Sequence, residues 1–109
     1  MTYVIGPACI DVMDRSCIDE CPVDCIYEGK RKLYINPAEC IDCGACKPAC
    51  PEQAIDLDRL LTGDQRAFIP DNARFFNEPL PGRDAALGTP GGAGDIGPIG
   101  VDTDLVAGY

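Results

Sequence analysis

The spacing of the cysteines constrains this chain more than any other feature of its sequence. All eight lie between Cys9 and Cys50, and residues 40–51 are CIDCGACKPACP, the pattern C-x2-C-x2-C-x3-C-P. Three cysteines placed three residues apart in a loop can hold three corners of one cubic iron–sulfur cluster. The fourth lies beyond a helical turn, about 6 Å along the axis, where it suits a second cluster. The spacing therefore predicts two neighbouring clusters.

Disulfides and zinc are the alternatives for so many cysteines. Disulfide frameworks belong to secreted chains, but residues 1–10 have no basic start followed by an apolar run, and no stretch approaches the length of a membrane span. We therefore expect a cytoplasmic protein, in a reducing compartment where clustered thiols more often bind metal. Histidine is absent, which removes mixed Cys/His zinc sites, Rieske centres and histidine-based acid–base catalysis.

An internal repeat organises the first half of the chain. Residues 3–26 recur as residues 34–55, with cysteines, prolines and isoleucines at matching places. Each half predicts a strand, a cysteine loop, a short helix and a second strand. The repeat is imperfect at one position, because Val12 stands where the second half has Cys43. One site is therefore expected to have three thiolates and the other four.

The repeat and the crossing of the fourth cysteine of each run divide seven cysteines between two clusters. The three-ligand site, suited to a [3Fe–4S] cluster, has Cys9, Cys17 and Cys50. The four-ligand site, suited to a [4Fe–4S] cluster, has Cys21, Cys40, Cys43 and Cys46. Gly44 is expected to take a positive φ and to aim backbone N–H groups at the sulfurs.

The eighth cysteine is predicted not to be a ligand. Cys25 matches Ala54 in the repeat, and Pro22 ends the helix that would have to aim it. A buried thiol that packs as a small apolar group is the favoured interpretation; a redox or spare-ligand role stays open. Asp11 and Asp14 lie close to Val12, where a carboxylate could bind a fourth iron, although plain surface charge is favoured for both. Residues 30–32 (Lys-Arg-Lys) are expected to form a solvated turn.

The sequence resembles the seven-iron bacterial ferredoxins, in which C-x7-C-x3-C-P precedes the second cysteine run. The resemblance covers residues 1–57 closely, including CPVDCIYEG and LYINPAECIDCGAC. The segments NARFF and LGTPGGAG resemble, less specifically, the longer C-terminal extensions of part of that family. The resemblance to this family implies an α+β fold, with a two-fold repeated βαβ-like core and a C-terminal extension that wraps it. It also implies the two ligand sets given above for the three-ligand and four-ligand sites.

A change of composition near residue 57 predicts two segments of one domain. Residues 1–57 are expected to form the dicluster core, and residues 58–109 a mostly irregular extension that wraps it, with a short helix from Asp71 or Asn72 to Glu78. The extension has nine of the twelve glycines, so helices and central strands are not expected beyond Leu80. Apolar residues should anchor it: Leu87, Ile96, Ile99, Val101, Leu105 and Val106.

Charge and motifs favour an electron carrier over an enzyme. The formal net charge is −9, which disfavours nucleic acid as a partner and suits docking onto basic patches of proteins. No nucleophile or base motif is present, so we expect a soluble low-potential carrier of single electrons, monomeric and independent of membranes. A ferredoxin reductase or 2-oxoacid oxidoreductase would be the donor, and a cytochrome P450 or another reductase the acceptor. An oxygen or iron sensor and a relay subunit of a larger enzyme are the alternatives.

Overall fold

Short strands and single helical turns form the part of the chain that contains the cysteines. The computed structural model describes residues 2–109. Its strands are β1 (Tyr3–Ile5), β2 (Ile26–Glu28), β3 (Leu33–Ile35) and β4 (Ile55–Leu57). Its helices are α1 (Ser16–Glu20), α2 (Cys46–Ala49), α3 (Phe68–Asn77), α4 (Ala93–Ile96) and α5 (Asp104–Ala107), with further 3-10 turns at Pro7–Cys9, Asp58–Leu60 and Gly63–Ala67.

The pairing of the strands expresses the two-fold repeat. Strand β1 pairs antiparallel with β4, with Val4 opposite Asp56, and β2 pairs antiparallel with β3, with Tyr27 opposite Tyr34. Helices α1 and α2, one from each half of the repeat, contact each other. This α+β arrangement with a C-terminal helical extension confirms the predicted fold class, and each half of the repeat has the two strands that the sequence predicts.

The extension builds a second apolar core against the outer side of the strands. Buried residues from both parts of the chain form it: Val4, Tyr27, Tyr34, Leu61, Phe68, Phe75, Phe76, Leu80 and Val106. The Tyr34 and Phe75 rings stack with centroids 3.8 Å apart. Backbone hydrogen bonds also join the extension to the cysteine-containing part of the chain. Ala93 N–H donates to Asp24 O and Ile99 N–H donates to Glu28 O, both at 2.8 Å. Within residues 2–109, no helix is long and apolar enough to cross a membrane.

Helix α3 begins earlier than predicted. It starts at Phe68, and Pro70 falls in its first turn, where the missing N–H costs nothing. The expected cap residues lie inside the helix and are buried instead. Asn72 bridges the sheets, because its Nδ2 donates to Ile5 O and its Oδ1 accepts from Ile35 N–H, each at 3.0 Å.

The glycine-rich tail is more regular than its composition indicates. Helices α4 and α5 are single turns that the sequence did not predict. Thr103 explains the second of them, because its hydroxyl accepts a hydrogen bond from Val106 N–H as a helix cap. Of the expected anchors, Val106 is fully buried, whereas Ile96 is 44% exposed and the prediction for it is wrong.

Candidate metal centre

Two cavities lie inside the cysteine-containing half, and their linings divide the cysteines as the repeat does. Cavity A encloses about 240 Å³ of space free of atoms, partly open to solvent. Its lining includes three thiols and several apolar and acidic side chains: Cys9, Cys17, Cys50, Ile5, Val12, Asp14, Glu52, Ala54 and Ile55. The three thiols come from the first loop, from α1 and, across the repeat, from the end of α2.

Cavity B encloses about 290 Å³ of space free of atoms and is also partly open to solvent. Five thiols line it together with an apolar shell: Cys21, Cys25, Cys40, Cys43, Cys46, Tyr3, Val23, Ile26, Ile35, Ile41 and Gly44. Cys21, from the end of α1, and Cys25 belong to the first half of the repeat and line cavity B, whereas Cys50 of the second half lines cavity A. Each half therefore contributes thiols to the cavity of the other half. Within residues 2–109, no three Cys, Asp or Glu side chains converge closely enough to hold a single metal ion.

Left-handed backbone conformations wrap the two cysteine loops around these cavities. Asp11 and Met13 have φ values of 67° and 49° in the first loop, and Asp42 and Gly44 have 58° and 78° in the second. The positive φ predicted for Gly44 is therefore confirmed. A Cβ at Gly44 would also lie 2.8 Å from the Tyr3 hydroxyl oxygen, so this turn has no room for a side chain.

Burial opposes ionisation of several thiols in the protein without metal. Burial raises the pKa of Cys17 to about 12 and that of Cys46 to about 11, and it raises the pKa of Cys9. A hydrogen bond from Cys25 lowers the pKa of Cys40 to about 5. Because metal ligands must be thiolates, such a donor set favours a positively charged metal group that compensates the buried negative charge.

Comparisons with known proteins agree with this donor set. Residues 33–56 match the family model described as a 4Fe-4S binding domain. A ferredoxin of Mycobacterium bovis is 66% identical over 98% of this chain and 94% of its own length. A ferredoxin of Saccharopolyspora erythraea is 49% identical over 98% and 93%. The chain belongs to the bacterial ferredoxins. A protein of Hydrogenibacillus schlegelii named ferredoxin 7Fe is 45% identical over 72% of this chain and its whole length.

The eighth cysteine of this ferredoxin lies beside cavity B rather than away from it. Cys25 is 2% exposed, and its Sγ lies 3.5 Å from Cys21 Sγ. Its backbone N–H donates to the same sulfur at 3.4 Å. A hydrogen bond between the Cys25 thiol and the Cys40 sulfur raises the pKa of Cys25. The buried thiol of the sequence-based interpretation is thus a hydrogen-bonding neighbour of two candidate ligands.

The two acidic residues near Val12 separate in the structure. Asp14 lines cavity A. Asp11 is exposed and forms an ion pair with Arg31 at 2.8 Å, whose guanidinium also donates to the carbonyl oxygen of Val106. Asp11 is therefore used to tie the first loop to the hairpin and the extension.

The prediction of a solvated turn at residues 30–32 is wrong for one of the three residues. Lys30 is exposed as expected, but Lys32 is completely buried. The turn is held by Asp102, whose Oδ1 accepts from Lys30 N–H at 3.1 Å and from the Tyr34 hydroxyl at 3.0 Å. Nothing local in a Lys-Arg-Lys turn indicates that a carboxylate from the far end of the chain will cover it.

Proposed function

We propose that this ferredoxin is a soluble low-potential carrier of single electrons between redox enzymes. The observation that supports the proposal best is the sorting of seven thiols into two adjoining cavities, three in cavity A and four in cavity B, with Cys25 as an extra neighbour. Clusters bound there would supply one-electron exchange without bond making. The protein's own contribution is to hold the thiols, shield them from water and set the charge around them.

We assign the ligands by cavity. Cavity A would hold a [3Fe–4S] cluster through Cys9, Cys17 and Cys50, and the exposed Val12 would leave its fourth corner without a protein ligand. Cavity B would hold a [4Fe–4S] cluster through four thiols: Cys21, Cys40, Cys43 and Cys46. The name of the Hydrogenibacillus relative, ferredoxin 7Fe, agrees with this total.

The surface near cavity B suits docking of a redox partner. Cys43 is exposed, and Ile41 beside it is 58% exposed although it lines the cavity. Asp42 lies between these two residues in the sequence, and Asp19 and Glu20 directly precede Cys21, which also lines cavity B. An apolar contact with an acidic surround fits a basic patch around a partner's cofactor, as on a ferredoxin reductase, a 2-oxoacid oxidoreductase or a cytochrome P450.

Iron content and electron paramagnetic resonance test the proposed cluster types. The protein as isolated in air should contain about seven irons per chain and show the signal of an oxidised [3Fe–4S] cluster, because three ferric irons leave an unpaired spin. Eight irons with an oxidised state that gives no signal would contradict the three-ligand assignment of cavity A. A protein with tightly bound zinc and no iron would contradict the proposed function itself.

Electron transfer with a verified partner should slow as salt rises. The net charge of −9, with two anionic clusters added, should steer the carrier toward a basic patch at low ionic strength. Screening shortens that reach to about 8 Å at physiological salt, so the second-order rate should fall several-fold between low and moderate salt.

Charge reversals locate the surface responsible for this steering. Asp19→Lys or Glu20→Lys, on the exposed side of α1 beside Cys21, should slow association more than Asp84→Lys, an exposed position in the extension that lines neither cavity. Stopped-flow kinetics at two salt concentrations measure the difference. Equal slowing by all three reversals would assign the steering to the net charge and not to this surface. A rate that is flat or rises with salt would assign docking to apolar contact.

A further inference from the structure

Arg31, in the turn of the β2–β3 hairpin, contacts both the first cysteine loop (residues 9–15) and the end of the extension. Its guanidinium donates to both oxygens of the Asp11 carboxylate, from Nε to Oδ1 and from Nη2 to Oδ2, each at 2.8 Å. Its backbone carbonyl oxygen accepts from the Asp11 N–H, also at 2.8 Å. The third guanidinium nitrogen, Nη1, donates to the carbonyl oxygens of Val106 and Ala107 at 2.8 and 3.3 Å. One side chain therefore joins the loop to the tail.

The extension also fixes the backbone of Arg31. The Arg31 N–H donates to Asp102 Oδ2 at 3.0 Å and to Asp102 Oδ1 at 3.2 Å. Asp102 is 5% exposed and Val106 is fully buried, so both anchors belong to the packed part of the extension. An exposed ion pair alone contributes little to stability. Here the guanidinium makes two parallel hydrogen bonds to one carboxylate and two more to the tail, and such a network fixes its geometry.

The backbone of the first cysteine loop depends on such support. Asp11 has a φ of 67° and Met13 one of 49°, a left-handed conformation that residues other than glycine keep only where the surrounding structure holds it. The Cys9 carbonyl oxygen accepts from the N–H groups of Val12 and Met13 at 3.1 and 2.9 Å. Cys9 and Val12 both line cavity A. Arg31 thus holds Asp11, which lies between these two lining residues in the sequence.

The second cysteine loop (residues 40–45) provides a comparison, because Asp42 takes the place of Asp11 in the repeat. Asp42 has the same left-handed conformation, with a φ of 58°. Its Oδ1 lies 3.8 Å from Cys40 Sγ, and within residues 2–109 its carboxylate forms no ion pair. Support by an arginine is therefore specific to the loop of cavity A.

We propose that Arg31 is a positioning residue through which the docked extension holds the first cysteine loop closed and so stabilises the cluster of cavity A selectively. This inference rests on the proposed function for the identity of the cluster. The contacts run from Asp102 and Val106 to Arg31, and from Arg31 to Asp11. When they are broken, the loop opens more often, and oxygen and water reach cavity A sooner than cavity B.

Arg31→Gln and Asp11→Asn test the proposal on the full-length, iron-loaded protein, because each removes one partner of the parallel hydrogen bonds. Arg74→Gln is the matched control: Arg74 is a half-exposed arginine that pairs with Glu78 on α3 at 3.5 Å and lines neither cavity. The loss of each cluster in air is followed by its own electron paramagnetic resonance signal. Hydrogen exchange of the two cysteine loops is measured by mass spectrometry on the same proteins.

The expected result is selective for one cavity. Arg31→Gln and Asp11→Asn should lose the cavity A cluster about fivefold faster, since the loss of one interaction network changes an opening equilibrium by about that factor. The double variant should decay no faster than either single variant, because both remove the same contact. Asp102→Ala, which acts from the side of the extension, should show the same selectivity. The cavity B cluster and the control should keep their rates, and hydrogen exchange should rise in the first loop only.

Equal acceleration in both cavities, an unchanged cavity A cluster, or an Asp102→Ala variant without effect would overturn the proposal. If Arg31→Gln assembles no cavity A cluster, Arg31→Lys decides the question, because it keeps the charge without the two parallel hydrogen bonds. A cavity A cluster that is absent or short-lived in Arg31→Lys beside an intact cavity B cluster supports the proposal, and loss of both clusters makes Arg31 a general structural residue.

Hydrogen exchange separates this proposal from the proposed function. If the unaltered protein contains no cluster in cavity A by iron content and electron paramagnetic resonance, the proposed function fails. The exchange of the first loop then decides the role of Arg31 by itself, since it reports the opening of the loop whatever fills the cavity. Unchanged exchange in both Arg31→Gln and Asp11→Asn would reject the coupling.

Discussion

Replacing Cys50 with alanine is expected to remove about three of the seven irons that we propose per chain and to leave the proposed [4Fe–4S] cluster in place. Cys50 follows α2 and lines cavity A, although it belongs by sequence to the run that lines cavity B. Its loss leaves cavity A with Cys9 and Cys17, which is too few thiolates for three irons. Cavity B keeps all its thiols, so its cluster should remain. Iron analysis and electron paramagnetic resonance measure the outcome.

The matched control is Cys25→Ala, which removes a thiol that lines a cavity without being assigned as a ligand. The bond from the residue 25 backbone N–H to Cys21 Sγ survives this change, and the symmetry-related position is already Ala54. We expect both clusters to be retained, with a cost of about 1 kcal/mol in unfolding free energy. Loss of iron from Cys25→Ala, or a full seven irons in Cys50→Ala, would contradict the ligand assignment.

Removing residues 83–109 is expected to accelerate cluster loss in air about tenfold or more, with both clusters still assembled at first. The deletion removes Val106 from the second apolar core and the Asp102 carboxylate from the hairpin turn. It also removes the backbone hydrogen bonds that Ala93 donates to Asp24 and that Ile99 donates to Glu28. The Tyr34 hydroxyl would lose its hydrogen bonds with Asp102 and Thr103. Local opening then becomes easier, and oxygen and water reach the clusters more often.

The decay of the visible absorbance in air-saturated buffer measures this effect. Val106→Ala provides a graded comparison, since it keeps the whole chain and removes two methyl groups from the fully buried side chain. Its decay rate should fall between those of the intact and truncated proteins. A truncated protein with an unchanged decay rate would show that the extension does not protect the clusters.

The elements near the cysteines could be predicted because their causes are local. Strands β2 and β3 follow from short apolar runs on either side of a turn that contains Gly29. Helices α1 and α2 each end one residue before a cysteine that proline follows. The sorting of thiols between cavities also follows from spacing along the chain, because a helical turn separates the fourth cysteine from the others. Structural features that are set by residues close together in the chain can therefore be predicted from the sequence.

The features that could not be predicted depend on residues far apart in the chain. The side chain of Asn72 resembles a helix cap in sequence, yet it bonds to Ile5 and Ile35 in two different sheets. Lys32 resembles part of a solvated turn, yet it is completely buried, with its Nζ 5.8 Å from the centroid of the Phe68 ring of α3. In each case a local preference is overridden by packing that only the complete extension provides.

The Asp102 carboxylate also has a consequence for the order of events during synthesis of the chain. It completes the turn of the β2–β3 hairpin across sequence separations of 72 and 71 residues to Lys30 and Arg31. All eight cysteines emerge from the ribosome before this carboxylate does. A nascent chain therefore presents its full set of thiols while the hairpin turn beside them still lacks the carboxylate that accepts from its backbone N–H groups. We expect the cysteine loops to be accessible during the interval between the synthesis of Cys50 and that of Asp102, before the tail covers the hairpin turn.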